Sequence, residues 1–66
     1  MQIEVNGATK DVNPEQSLYE IIESLGLNPK AVVAQRNGDI IDRQAYREVH
    51  LQEGDKLELI HFVGGG

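Results

Sequence analysis

The sequence predicts an α+β domain in which a mixed sheet wraps around one principal helix. Three observations predict it. Two Asn-Gly pairs, Asn6-Gly7 and Asn37-Gly38, each follow a strand-like run and mark tight hairpins, because both central turn positions must tolerate positive φ. Between them lies one amphipathic helix carrying its own start signal. A final alternating run, Leu57 to Val63, supplies a further strand. A short helix with one apolar stripe needs a sheet to pack on, and these strands provide it.

The elements follow in order. Ile3 and Val5 alternate with Gln2 and Glu4, which makes a first strand. Ala8 to Val12 returns from the Asn6-Gly7 turn as a more polar strand at a sheet edge, where Lys10 and Asp11 discourage further pairing. Ser17 and Glu20 have capping-box spacing. Leu18, Ile21, Ile22 and Leu25 then recur at i, i+3, i+4 and i+7, so the helix is expected over Leu18 to Leu25. Gly26 stands where a C-terminal cap belongs, and Asn28-Pro29 stops continuation. Ala31 to Arg36 reads as a third, central strand, with Ile40-Ile41 returning from the second hairpin. Asp42 to Arg47 is polar around Tyr46 and suits a single helical turn. Val49 and Leu51 alternate with Glu48 and His50, and Glu53-Gly54-Asp55 is a turn before the last strand.

The last strand must choose a face. One choice buries Leu57 and Leu59; the other buries Glu58 with Ile60 and Phe62. A carboxylate in so small a core is costly, so Leu57 and Leu59 are expected against the helix. The expected core is Ile3, Val5, Leu18, Ile21 or Ile22, Leu25, Val32 or Val33, Leu57 and Leu59. Ile60, Phe62 and Val63 are then left beside the chain end as a docking patch for a partner. Tyr46 has two readings, an aromatic cover on the open end of the core or a partner contact.

Composition narrows the function. Sixty-six residues make one domain that buries roughly 60% of its unfolded surface, so the core must be efficient. There is no cysteine, hence no disulfide, no thiolate metal site and no side chain to carry a persulfide or thioester. The formal charge is −5, and the six basic residues are dispersed among eleven acidic ones. Nucleic-acid binding is therefore not expected, and a basic partner is. No apolar run is long enough for a signal peptide or a membrane span, which makes the cytoplasm the expected address and membrane association unexpected. His50 and His61 lack companions at ligand spacing, so no metal site is expected. Asp39 and Asp42 read as solvated turn residues. No catalytic constellation is present.

The chain ends Gly64-Gly65-Gly66, directly after the last strand. Without Cβ atoms such a tail can enter a narrow channel, and its carboxylate is unhindered. Residues 1–63 are expected to form the domain and 64–66 a flexible glycine tail. The order strand, turn, strand, helix, strand is that of the β-grasp or ubiquitin-like fold.

At this point the chain resembles the ThiS family, the sulfur carriers of thiamine thiazole synthesis. The likeness rests on Asn6-Gly7, the helix Leu18–Leu25 and Val33-Ala34-Gln35-Arg36-Asn37-Gly38-Asp39-Ile40-Ile41. It continues through Arg43, Tyr46, Glu53-Gly54-Asp55-Lys56-Leu57-Glu58 and His61-Phe62-Val63-Gly64-Gly65-Gly66. The resemblance implies that a ubiquitin-activating-like adenylyltransferase uses Mg-ATP to adenylylate the Gly66 carboxylate. A sulfurtransferase system then supplies sulfur, giving a thiocarboxylate that a thiazole synthase consumes. Molybdopterin sulfur carriers work in the same way for another product, so the alternatives are carriage for that or another thiocarboxylate-dependent pathway, or a non-catalytic ubiquitin-like interaction module. The residues agree with a carrier role. The chain has no phosphate-binding loop and no thiol, so nucleotide and persulfide chemistry fall to partners, and it binds no cofactor itself.

Overall fold

The computed structural model describes residues 1–61. In chain order it contains β1 (Gln2–Val5), β2 (Ala8–Asp11), α1 (Leu18–Ser24), β3 (Val32–Arg36), β4 (Asp39–Ile40) and β5 (Lys56–His61). Single 3-10 turns, Pro29–Ala31 and Arg43–Ala45, join them. The five strands form one sheet in the order β2-β1-β5-β3-β4. β1 and β5 are parallel, while the β1–β2, β3–β4 and β3–β5 pairs are antiparallel. This is the α+β, mixed-sheet, single-helix architecture the sequence predicts.

Local chemistry accounts for the elements. Asn6 and Asn37 adopt φ of 49° and 51°, each followed by a positive-φ glycine, which is the tight hairpin turn that Asn-Gly favours. The capping box closes as expected. The Glu20 N–H donates to Ser17 Oγ at 3.2 Å, and the Ser17 N–H donates to Glu20 Oε1 at 3.0 Å. The helix ends one residue earlier than the spacing suggests, with Leu25 as its C-cap. β3 begins at Val32 rather than Ala31, because Pro29–Ala31 forms a 3-10 turn capped by the Asn28 side chain. The Val49–Leu51 stretch alternates but joins no strand. It serves the helix instead, since the Leu18 N–H donates to the Val49 carbonyl at 2.8 Å.

One face of the sheet and the helix stripe enclose the core. Ile3, Val5, Leu18, Val32, Leu57 and Leu59 are buried, and both Ile21 and Ile22 are fully so. Val32 rather than Val33 points inward. Leu25, expected in the core, is only half-buried, because it is the C-cap at the end of α1, where the chain leaves the helix. Ala34, Leu51 and Tyr46 join the core. Tyr46 is thus an internal residue and not a free contact surface. Its hydroxyl accepts from the Ala34 N–H and donates to the Val32 carbonyl, both at 2.9 Å.

Candidate functional site

The site is built around β5, which runs between β1 and β3 toward the chain end. On the β1 side, the Glu4 N–H donates to the Asp55 carbonyl and the Asn6 N–H to the Leu57 carbonyl, each at 2.9 Å. β1 then turns away at Asn6-Gly7. The Asn6 side chain continues the ladder where the β1 backbone has left it. Its Oδ1 accepts from the Leu59 N–H at 2.8 Å, and its Nδ2 donates to the Leu59 carbonyl at 3.2 Å. On the other side, β3 pairs with β5 up to Val32 opposite His61. β5 is therefore held from both flanks through Leu59 and from one flank through His61.

The start of β5 is fixed by Asp55, one of two buried polar residues among the described ones. Its carboxylate accepts from the Gln52 N–H at 2.8 Å, Arg36 Nε at 2.9 Å and Asn37 Nδ2 at 3.1 Å. Asn37 Oδ1 in turn accepts from the Lys56 N–H at 2.9 Å. Burial pushes the Asp55 carboxyl pKa up, but the hydrogen bonds from Gln52 and Asn37 and the Arg36 charge outweigh it and hold the pKa below the ordinary value. Gly54-Asp55-Lys56 is thus a clamp joining the second hairpin to the base of β5, and not merely a turn.

The face of the sheet away from the helix carries Ile60, the one described residue of those expected from sequence to contact a partner. Ile60 is 47% exposed, and its cross-strand partner is Val33. Ile40, which sequence reasoning missed, is the most exposed large apolar residue described, at 71%. The signal was available: the Asn37-Gly38 hairpin sets Ile40 opposite Gln35, and Gln35 shares the outward face with Val33. Glu58, Lys56 and Glu4 continue this face as its charged half. Phe62 and Val63, the rest of the predicted patch, and Gly64, Gly65 and Gly66, the predicted tail and sulfur-carrying end, lie outside the described residues.

His50 is exposed, with Nδ1 3.2 Å from the Gln16 carbonyl, and His61 is also exposed. Among the described residues no cluster of His, Cys, Asp or Glu could hold a metal ion. Asp42 Oδ1 accepts from the Gln44 N–H at 3.0 Å, the turn role expected of it. No helix among the described residues is long and apolar enough to cross a membrane.

A five-stranded mixed sheet over one helix, with parallel central strands delivering the chain end, defines a ubiquitin-like β-grasp protein. The chain belongs to the ThiS family, whose model matches residues 3–66. The crystal structure of thiamine biosynthesis protein ThiS from Geobacter metallireducens aligns with a TM-score of 0.82 at 28% identity, covering 100% of both chains. The sulfur carrier protein ThiS of Bacillus subtilis is 37% identical over 67 residues, covering 97% of this chain and 98% of that protein. A thiazole synthase of Magnetococcus marinus is 36% identical over 66 residues, and there this chain spans 20% of the relative's length.

Proposed function

We propose that this chain is a sulfur carrier that delivers sulfur to thiazole synthesis from a thiocarboxylate on Gly66. It is a carrier and substrate, not a catalyst. The observation that carries the reading is the near full-length match to a sulfur carrier protein. A similar stretch, 36% identical, within a larger thiazole synthase supports thiazole as the product, because fusion keeps a carrier at its consumer's active site.

The chemistry assigns each step to a partner. A carboxylate is a poor electrophile until one oxygen becomes a good leaving group. The Gly66 carboxylate attacks the α-phosphate of Mg-ATP in a ubiquitin-activating-like adenylyltransferase, and pyrophosphate leaves. The sulfurtransferase system's persulfide then attacks the acyl carbon and AMP leaves; a thiol of that system attacks the sulfur next to the transferred one, forming a disulfide and releasing the Gly66 thiocarboxylate. Residues 1–63 act as the domain body and residues 64–66 as the tail that enters the enzyme. Ile60 and Val33, paired across β5 and β3, with Ile40 on the same face, make the apolar docking surface, and Phe62 and Val63 extend it in sequence. The clamps at Asp55 and Asn6 keep β5 fixed while the tail is engaged, so little ordering of the body is required on docking. The cytoplasm is the compartment of this chemistry.

ATP–pyrophosphate exchange with a purified adenylating partner tests the reading. The intact chain supports exchange. The chain lacking Gly65 and Gly66 supports none while unfolding at the same urea concentration. Ile60→Asp raises KM for the carrier with its fold intact. Equal exchange by the truncated chain would refute the assignment to Gly66.

A further inference from the structure

We infer that the molecule has a second binding site, with no β5 residue in its lining, for a phosphate monoester. It is a cavity of about 450 Å³ between α1 and the two 3-10 turns. Three of the chain's six basic residues, Lys30, Arg43 and Arg47, line it, in a protein whose net charge is −5. Asp42 is the one carboxylate in the lining, and its Oδ1 already accepts from the Gln44 N–H. Among the described residues the ion pairs are Met1–Asp11 and Arg36–Asp55, and neither uses these three cations. Three cations against the single Asp42 carboxylate leave the lining with an excess of positive charge, and an anion between the cations relieves their repulsion.

The cavity is also built on fixed parts. Tyr46 forms part of the lining, is buried, and is anchored by two hydrogen bonds to β3. The Arg47 guanidinium lies over the Tyr19 ring, 3.8 Å from its centroid. Stacking of this kind holds the guanidinium plane while its N–H edges remain able to donate. Arg43 stands one turn earlier on the same segment. Two guanidinium forks and one ammonium match the three terminal oxygens of a phosphate better than the two of a carboxylate. The Tyr19 ring beside them suits an organic substituent on the ester. Arg43 and Arg47, read from sequence alone, look like a solvated mixed-charge surface, because Asp42 and Glu48 flank them. Lys30 is distant in sequence, and only the fold brings it to the same cavity.

The site does not depend on sulfur carriage, so its test reads no tail chemistry. Isotope-labelled protein is titrated with sodium phosphate, phenyl phosphate and a phosphoserine tripeptide, at ionic strength held constant with sodium chloride. The expected result is saturable amide shifts centred on Tyr19, Arg43, Gln44 and Arg47. Affinity should fall about tenfold or more in Lys30→Gln and in the double variant Arg43→Gln/Arg47→Gln, and stay unchanged in Lys10→Gln on the far edge strand. Lys30→Gln leaves the Arg47–Tyr19 stack in place, so it decides the matter if the double variant loses its fold. Tighter binding of phenyl phosphate assigns the site to a small molecule, and tighter binding of the peptide assigns it to a phosphorylated protein. Shifts that fail to saturate, that sodium chloride reproduces, or that persist in Lys30→Gln would overturn the inference.

Discussion

Replacing Tyr46 by Phe removes one oxygen atom from the core and nothing else. That oxygen serves β3 where no strand can. β4 is only two residues long and pairs with Gln35 and Arg36; just past it the Ile41 N–H donates to the Ala34 carbonyl, which leaves the Ala34 N–H and the Val32 carbonyl uncovered on that side. The Tyr46 hydroxyl takes the place of a strand there, accepting from the Ala34 N–H and donating to the Val32 carbonyl. Two hydrogen bonds of about 1 kcal/mol net are lost, and a buried N–H left without a partner costs about 1–3 kcal/mol more. The expected loss is therefore about 3–5 kcal/mol. A domain of this length has a total stability of about 3–10 kcal/mol, so the variant forfeits a large share of it. Urea unfolding followed by circular dichroism should show the midpoint lowered by about 1 M or more with the m-value unchanged. A loss below about 0.5 kcal/mol would show that the hydroxyl does not carry the edge of β3 and that this reasoning is wrong.

The Asp55 clamp gives two further predictions. At pH 7, Asp55→Asn should destabilise the fold by about 1–3 kcal/mol, because a carboxylate accepting from Arg36, Asn37 and the Gln52 N–H cannot be replaced by an amide that must also donate. The pH dependence follows from the sign of the shift. The folded pKa lies below the ordinary value, so below about pH 4 the unfolded chain binds the proton first. The contribution is fully present above that pH and is lost as pH falls through the folded pKa. Urea midpoints of wild type and D55N, measured from pH 7 to pH 2.5, should converge at the acid end. A constant gap across that range would show that Asp55 stabilises by packing and not by its charge.

Much of the fold was legible in the sequence because local and global signals agree. Both Asn-Gly turns, the capping box and the burial of Leu57 and Leu59 each follow from a rule that acts within a few residues. What escaped the sequence depends on tertiary placement. Tyr46 could be a cover or a contact until β3 supplied the partners for its hydroxyl. Asp55 looked like a turn residue until the second hairpin brought Asn37 and Arg36 to it. Asn6 was legible as a turn former, but its grip on Leu59 joins residues 53 positions apart. For the candidate site the balance differs. Ile60 was placed correctly by alternation along β5, whereas Ile40 was missed because its face depends on pairing across the hairpin.

The central claim is that sulfur is carried on Gly66, and intact-mass spectrometry tests it most directly. The protein is incubated with an adenylating partner already shown to catalyse exchange, Mg-ATP and a sulfur source, and is then weighed whole and fragmented. The account predicts a gain equal to replacement of one oxygen by sulfur, located at Gly66, and no gain by the chain lacking Gly65 and Gly66. An unchanged mass, a gain on an internal residue, or an equal gain by the truncated chain would contradict it.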